Sequence, residues 1–218
     1  AIVLDTKTGA VLAYTGNAPC SEFNNCYVDI ISSPRSTGSI MKPFLYAAML
    51  DDGVLLPQML VSDIPTHISG YAPKNFNKSF DGAVPASNAL GRSLNIPAIR
   101  MLRRFGLEKF LHLTKQLRIS TINQNADHYG LSIILGGAEA TLWDLTGIYA
   151  SMARSLVYFE RNSARYDTES YRKPSYIPLK NEVKQTKEST HGILSAGAIY
   201  LTFEALKSLN RPDGEIGW

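Results

Sequence analysis

The sequence predicts a chain of α+β character, and two observations carry that prediction. Residues 1–4 and 11–14 are apolar runs joined by a polar turn containing Gly9, which is the signature of a β-hairpin. From Ala86 onward, apolar residues recur at helical spacing. With 218 residues and 44% hydrophobic content, the chain can bury a substantial core and reads as one domain over residues 1–218, or a large part of one.

After the hairpin comes a turn-rich loop in which Cys20 and Cys26 flank five residues. A local disulfide and two free thiols are both consistent with that spacing, and an oxidising compartment favours the bridge. Residues 39–50 read as a buried helix, with Ile40, Met41, Phe44, Leu45, Ala47, Ala48 and Met49 as its apolar surface and Asp51-Asp52-Gly53 as its end. Pro43 is compatible because the first turn loses little hydrogen bonding to it. Residues 57–85 read as irregular, with turn signals at Ser69-Gly70 and Asp81-Gly82. Helical spacing returns over 86–90, 98–105, 107–116 and 142–153. Thr141 and Asp144 fit a capping box with Asp in place of the usual Glu, while Trp143, Tyr149 and Met152 are assigned to the core. From 155 to 190 the chain turns polar, with a short strand at 175–179, and a final helix spans 195–209.

The chemistry concentrates in Ser39 and Lys42. A serine becomes a usable nucleophile when a base reaches its hydroxyl, and a lysine three positions on lies one helical turn away on the same face. At a helix start, unpaired N–H groups and the positive dipole end would stabilise an oxyanion. Ser93 and Asn95 form a second element, on a bend before Pro97. There a hydroxyl can relay a proton while an amide holds the lysine or a substrate carbonyl. A helix cap is the plainer explanation of the same pair. Both patterns recur elsewhere. Ser170 and Lys173 repeat the first in a polar stretch ending at Pro174, which reads as a surface loop whose lysine stays protonated. Ser208-Leu209-Asn210 repeats the second at the end of a helix, before Arg211-Pro212.

Ser39-x-x-Lys42 followed by Ser93-x-Asn95 resembles the penicillin-binding protein transpeptidases and serine β-lactamases. The surrounding wording, including Tyr71-x-Pro73-x-Asn75-Phe76 and Tyr129-Gly130-Leu131-Ser132-x-x-Leu135-Gly136-Gly137-Ala138-Glu139, resembles the transpeptidase domain of bifunctional class A penicillin-binding proteins. The resemblance implies the penicillin-recognising α+β fold, with helices packed on an antiparallel sheet, and DD-transpeptidation of peptidoglycan: Ser39 attacks a D-Ala-D-Ala stem peptide, Lys42 takes its proton, Ser93 passes a proton to the leaving D-Ala, and Asn95 positions Lys42 and the substrate amide. It also implies acylation by β-lactams, no cofactor, cell-wall synthesis partners, and a periplasmic site on a parent protein anchored in the membrane by a part outside these residues. A β-lactamase or DD-carboxypeptidase would share Ser39 and Lys42, and an inert scaffold would keep the fold without the reaction. The family's third motif, Lys-Thr-Gly, does not occur after Asn95. The expectation is therefore a domain truncated before that strand and its later neighbours, with impaired activity. Lys7-Thr8-Gly9 matches the letters of the motif but sits in the hairpin turn, where a structural role is expected.

Other classes find little support. A net charge of +3 without a Lys/Arg cluster gives no reason to invoke nucleic acid, and no apolar run of membrane-spanning length or signal-peptide pattern occurs. His67, His112, His128 and His191 are scattered without metal-ligand spacing.

Overall fold

In the computed structural model, which describes residues 1–19, 27–68, 72–176 and 187–208, strands β1 (Ile2–Leu4) and β2 (Val11–Tyr14) pair antiparallel as the hairpin pattern predicts. Their turn is held by Asp5, whose carboxylate accepts from the Lys7 N–H at 2.9 Å and the Thr8 hydroxyl at 2.7 Å. Those bonds, that of Thr8 foremost, hold the Asp5 carboxyl below its usual range. Gly9 adopts φ +75°, and a Cβ there would meet Arg154 Nη2 at 3.2 Å. The Lys7 carbonyl accepts from Arg154 Nε at 3.1 Å and Arg172 Nη2 at 2.9 Å. Lys7, Thr8 and Gly9 thus serve the architecture of the turn.

The chain forms two compact units. The first comprises Ala1–Ser36, Leu111–Asn125 and Ala138–Ala196. It contains β1 and β2, the short pair β3 (Arg35–Ser36) with β6 (Glu139–Ala140), the pair β7 (Tyr166–Asp167) with β8 (Glu188–Ser189), and α6 (Leu142–Arg161). Helix α6 runs eight residues past the expected end at 153. The polar residues that would have ended it are satisfied inside: Arg154 and Ser155 are buried, and Arg154 Nη1 donates to the Ser170 carbonyl. This also corrects the reading of Ser170 as surface. Ser170 lies in a loop but is buried beside Tyr171, whereas Lys173 stays exposed and pairs with Asp144 at 3.6 Å. Thr141 Oγ1 caps α6 by accepting from the Asp144 N–H at 3.0 Å. The reciprocal half of the box is replaced, because the Asp144 carboxylate turns to the Ser120 N–H at 2.9 Å and hydroxyl at 2.5 Å. Met152 is fully buried, and Trp143 packs on Tyr176 with ring centroids 5.0 Å apart. Of the strand expected at 175–179, Ser175 bridges Ala10, and 177–179 lie outside the described residues. Cys20 and Cys26 lie outside them too.

The second unit comprises Thr37–Phe110, Ala126–Gly137 and Gly197–Trp218. Its central helix is α1 (Lys42–Asp51), in which every residue from Lys42 to Met49 is buried. A helix apolar around its whole circumference belongs inside a core. Helices α2 (Ala86–Gly91) and α3 (Asn95–Phe105) pack on α1, and the 3₁₀ segment Gly130–Leu135 packs on α3. In the last of these, Ser132 approaches Gly137 so closely that a Cβ at 137 would lie 2.1 Å from its hydroxyl. The region read as irregular contains β4 (Leu60–Asp63) and β5 (Gly82–Pro85), paired antiparallel. Their alternation is too short to register as a sequence period, and long-range pairing forms them. The turn at Ser69-Gly70 lies outside the described residues, whereas Gly82 has the positive φ of a turn. Helix α4 (Leu107–Gln116) matches its expected limits, α5 (Ala126–Tyr129) is an additional single turn, and α7 (Ala196–Lys207) is slightly shorter than expected. Ser208 closes α7 by donating to the Ala205 carbonyl at 2.8 Å, while 209–210 lie outside the described residues.

The Tyr46 hydroxyl on α1 is buried without a hydrogen-bond partner among the described residues, and burial pushes it up to about 12. An unsatisfied buried hydroxyl costs about 1–3 kcal/mol. Tyr46→Phe should therefore raise the unfolding free energy by about 1 kcal/mol in urea titration; a loss of stability would show that the hydroxyl has a partner.

Candidate active site

Helix α1 begins at Lys42, three residues later than the sequence pattern suggests. Residues 37–41 form a tight lead-in, with the Ile40 N–H bonded to the Thr37 carbonyl and the Lys42 N–H to the Ser39 carbonyl, each at 3.0 Å. Ser39 thus occupies the turn ahead of the first helical residue. It is exposed, as is Ile40, which was expected in the core. Lys42 is 3% exposed.

The Lys42 ammonium reaches across to the connection between α2 and α3. It donates to the Ser93 carbonyl at 2.6 Å, the Ser93 hydroxyl at 3.1 Å and Asn95 Oδ1 at 2.7 Å. The structure thereby gathers Lys42, Ser93 and Asn95 at one point. Among the described residues, all three of the ammonium's hydrogen bonds go to positions 93 and 95, and none goes to Ser39. A groove of about 450 Å³ in the same unit, lined by Met49, Met59, Arg100 and others, includes none of the four residues.

The local backbone explains why Ser93 can present two oxygens to one cation. Helix α2 ends in a Schellman motif: the Leu94 N–H bonds the Ala89 carbonyl at 2.9 Å and the Ser93 N–H bonds the Leu90 carbonyl at 2.8 Å. Ser93 holds the left-handed position with φ +54°, where glycine is usual. Leu94 and Ala89 share an apolar cluster with Val84 and Val61, supplying the hydrophobic contact that accompanies the motif. Helix α3 then starts at Asn95 with Leu94 in the N-cap position, which has no side-chain acceptor to offer. The acceptor comes from Asn75, whose Oδ1 receives the Asn95 N–H at 2.9 Å and the Ile96 N–H at 3.3 Å. The sequence reading placed Asn75 only within a family-like phrase. Its capping role joins residues twenty apart in the chain and leaves no local signal.

Burial lowers the Lys42 ammonium from 10.5 to about 8. Desolvation disfavours the charged form, and among the described residues no carboxylate pairs with it. Because the folded value lies below the unfolded one, the charged lysine destabilises the fold below pH 8, and that cost fades as pH rises toward 10.5. The full difference corresponds to about 3 kcal/mol.

Comparison with known proteins gives a consistent picture. The family described as penicillin binding protein transpeptidase domain matches residues 1–158. Penicillin-binding protein 1C of Escherichia coli (strain K12) is 36% identical over 154 residues, covering 70% of this chain and 20% of that protein. Penicillin-binding protein 1A of Pseudomonas aeruginosa is 29% identical over 201 residues, covering 86% of this chain and 24% of that protein. The chain thus spans about a fifth of the length of the curated relatives it matches. Among solved structures, the transpeptidase domain of Burkholderia pseudomallei penicillin-binding protein 3 superposes with a TM-score of 0.70 at 17% identity, over 97% of this chain and 62% of that one. Mycobacterium tuberculosis PonA1 does so with a TM-score of 0.69 at 19% identity, over 94% and 54%. These likenesses establish the penicillin-binding protein fold and its α+β character.

The strained turn makes a comparison of two variants informative. Ser93→Gly and Ser93→Ala both lose the hydroxyl, but only alanine keeps a Cβ at φ +54°. Ser93→Gly should be the more stable of the two by about 1 kcal/mol in denaturant titration; the reverse order would contradict the left-handed assignment.

Proposed function

Since the chain belongs to the penicillin-binding protein transpeptidase domain family, we propose that it carries the acyl-transfer centre of a peptidoglycan DD-transpeptidase, with Ser39 as nucleophile, Lys42 as general base, Ser93 as proton relay and Asn95 as the group that holds Lys42. The observation that carries this reading is the buried Lys42 ammonium, fixed by Ser93 and Asn95 three residues after an exposed serine.

The hydrogen-bond pattern suggests how the proton moves. An ammonium donating to three acceptors is the charged form, and loss of one proton leaves two N–H groups and a lone pair. The Ser93 carbonyl and Asn95 Oδ1 can only accept, whereas the Ser93 hydroxyl can also donate. The contact to that hydroxyl, at 3.1 Å the longest of the three, is the one free to yield or reverse. The neutral amine then takes the Ser39 proton as Ser39 Oγ bonds the carbonyl carbon of the penultimate D-Ala. The proton passes through Ser93 to the departing D-Ala amine, and an amine from a second stem peptide resolves the ester to form the cross-link. With a β-lactam the ring C–N bond opens but the amine stays tethered, so the adduct persists. PonA1, a structural neighbour with a TM-score of 0.59, has been solved in complex with penicillin V. This chemistry lies on the extracytoplasmic side, where stem peptides are found; among the described residues no helix is long and apolar enough to cross a membrane.

Burial is what lowers Lys42 here.

Incubation with a fluorescent penicillin should label the chain covalently, and Ser39→Ala should abolish the label. Because the neutral lysine is the reactive form, the rate should rise about tenfold per pH unit below about 8 and level off above it. Labelling that survives Ser39→Ala, or a rate that is flat across that range, would contradict the assignment. An adduct lasting hours supports transpeptidation, and one lost in seconds indicates a β-lactamase.

A further inference from the structure

We infer that Asn75 and Asp63 are positioning residues for this centre: one loop grips both the backbone and the side chain of Asn95 and so holds Asn95 Oδ1 against Lys42. The inference rests on the reading of Lys42 and Asn95 given above.

The hydrogen-bonding capacity of Asn75 is fully used, and its orientation follows from that. Its oxygen faces the two N–H groups at the start of α3. Its Nδ2 donates to Asp63 Oδ1 at 2.7 Å and to the Ser79 carbonyl at 3.0 Å. Asp63 is fixed in turn, its other oxygen accepting from the Asp81 N–H at 3.0 Å. Asn75 and Asp63 are 3% and 1% exposed. A flipped Asn75 amide would set NH₂ against N–H at α3 and oxygen against carboxylate at Asp63. Asp63 is thus the residue that determines which face Asn75 turns to the helix.

Capping alone would be a stability device. A second grip points further, because Asn95 Nδ2 donates to the carbonyl of Lys74, the residue beside Asn75, at 2.9 Å. With its N–H held by Asn75 and its Nδ2 donating to Lys74, the Asn95 amide is turned so that Oδ1 faces the Lys42 ammonium. The neighbouring charges are accounted for: Asp81 pairs with Arg92, and the Lys74 side chain is exposed. Asp63 therefore acts on Lys42 through Asn75 and Asn95.

Asp63→Asn tests this with little change in shape. An asparagine there has one acceptor oxygen for the two donors that Asp63 receives, the Asn75 NH₂ and the Asp81 N–H, so the hold on the Asn75 amide is weakened. In the 218-residue chain, Ser39-dependent labelling by fluorescent penicillin should slow about tenfold. Adding Asn75→Asp restores an acceptor toward α3 and a complementary partner for the new amide but sets a carboxylate oxygen against the Ser79 carbonyl, and should return the rate part of the way to the original. Asp63→Asn combined with Asn95→Ala should be no slower than Asn95→Ala alone, because both act on one contact. A parallel reading by NMR needs no reaction: the two Lys42 Hε protons, distinct while the amine is held, should merge in Asp63→Asn and separate again in the double variant. A wild-type rate in Asp63→Asn, failure of Asn75→Asp to rescue, or losses that multiply with Asn95→Ala would overturn the inference. If the unaltered chain shows no Ser39-dependent labelling, the functional reading fails instead, and the Lys42 Hε signals alone decide whether Asp63 and Asn75 position the lysine.

Discussion

The burial of the Lys42 ammonium against the connection between α2 and α3 is the constraint around which the second unit is organised. A lysine at 3% exposure is tolerated only where its protons find acceptors, and Ser93 and Asn95 supply three within 3.1 Å. Hydrogen bonds to acceptors favour the charged form, while desolvation opposes it and prevails, taking the amine to about 8. That balance keeps the lysine ordered and lets a useful fraction of it lose its proton near neutral pH. Lys173, at the same spacing from Ser170, is exposed and pairs with Asp144 at 3.6 Å instead.

Each supporting feature gives up a local preference for this arrangement. Ser93 occupies a left-handed position better suited to glycine, yet only a side chain there can offer a hydroxyl beside its own carbonyl. Leu94 leaves α3 without a cap of its own, and the vacancy is filled by Asn75 from the β4–β5 connection. Departures from local rules are expected to gather at working sites, where the surrounding structure holds them in place. Here they lie within a few residues of one amine.

The candidate site was legible in the sequence where its logic is local. The spacing of Ser39 and Lys42, the bend at Ser93 and the buried character of α1 all follow from residue types within a few turns of one another. The start of α1 was placed too early because the Ser39 turn already carries helix-like bonds without being part of the helix. The β4–β5 pair, the burial of Ser170 and the capping of α3 by Asn75 depend on partners far away in sequence. Arg154 reaching the Ser170 carbonyl is an example: polar residues that read as solvated are satisfied by contacts that no window of neighbours reveals. The same distance effect hides Asp63, which resembles an ordinary strand-end acid until Asn75 is placed beside it.

The most direct test is the titration of the Lys42 side-chain amine, followed by NMR through its ¹³Cε resonance and assigned with Lys42→Arg. The account predicts a midpoint near 8 in the folded chain. A midpoint near 10.5, the value of a solvated lysine, would contradict it, for the amine would then be neither desolvated nor suited to the general-base role proposed for it.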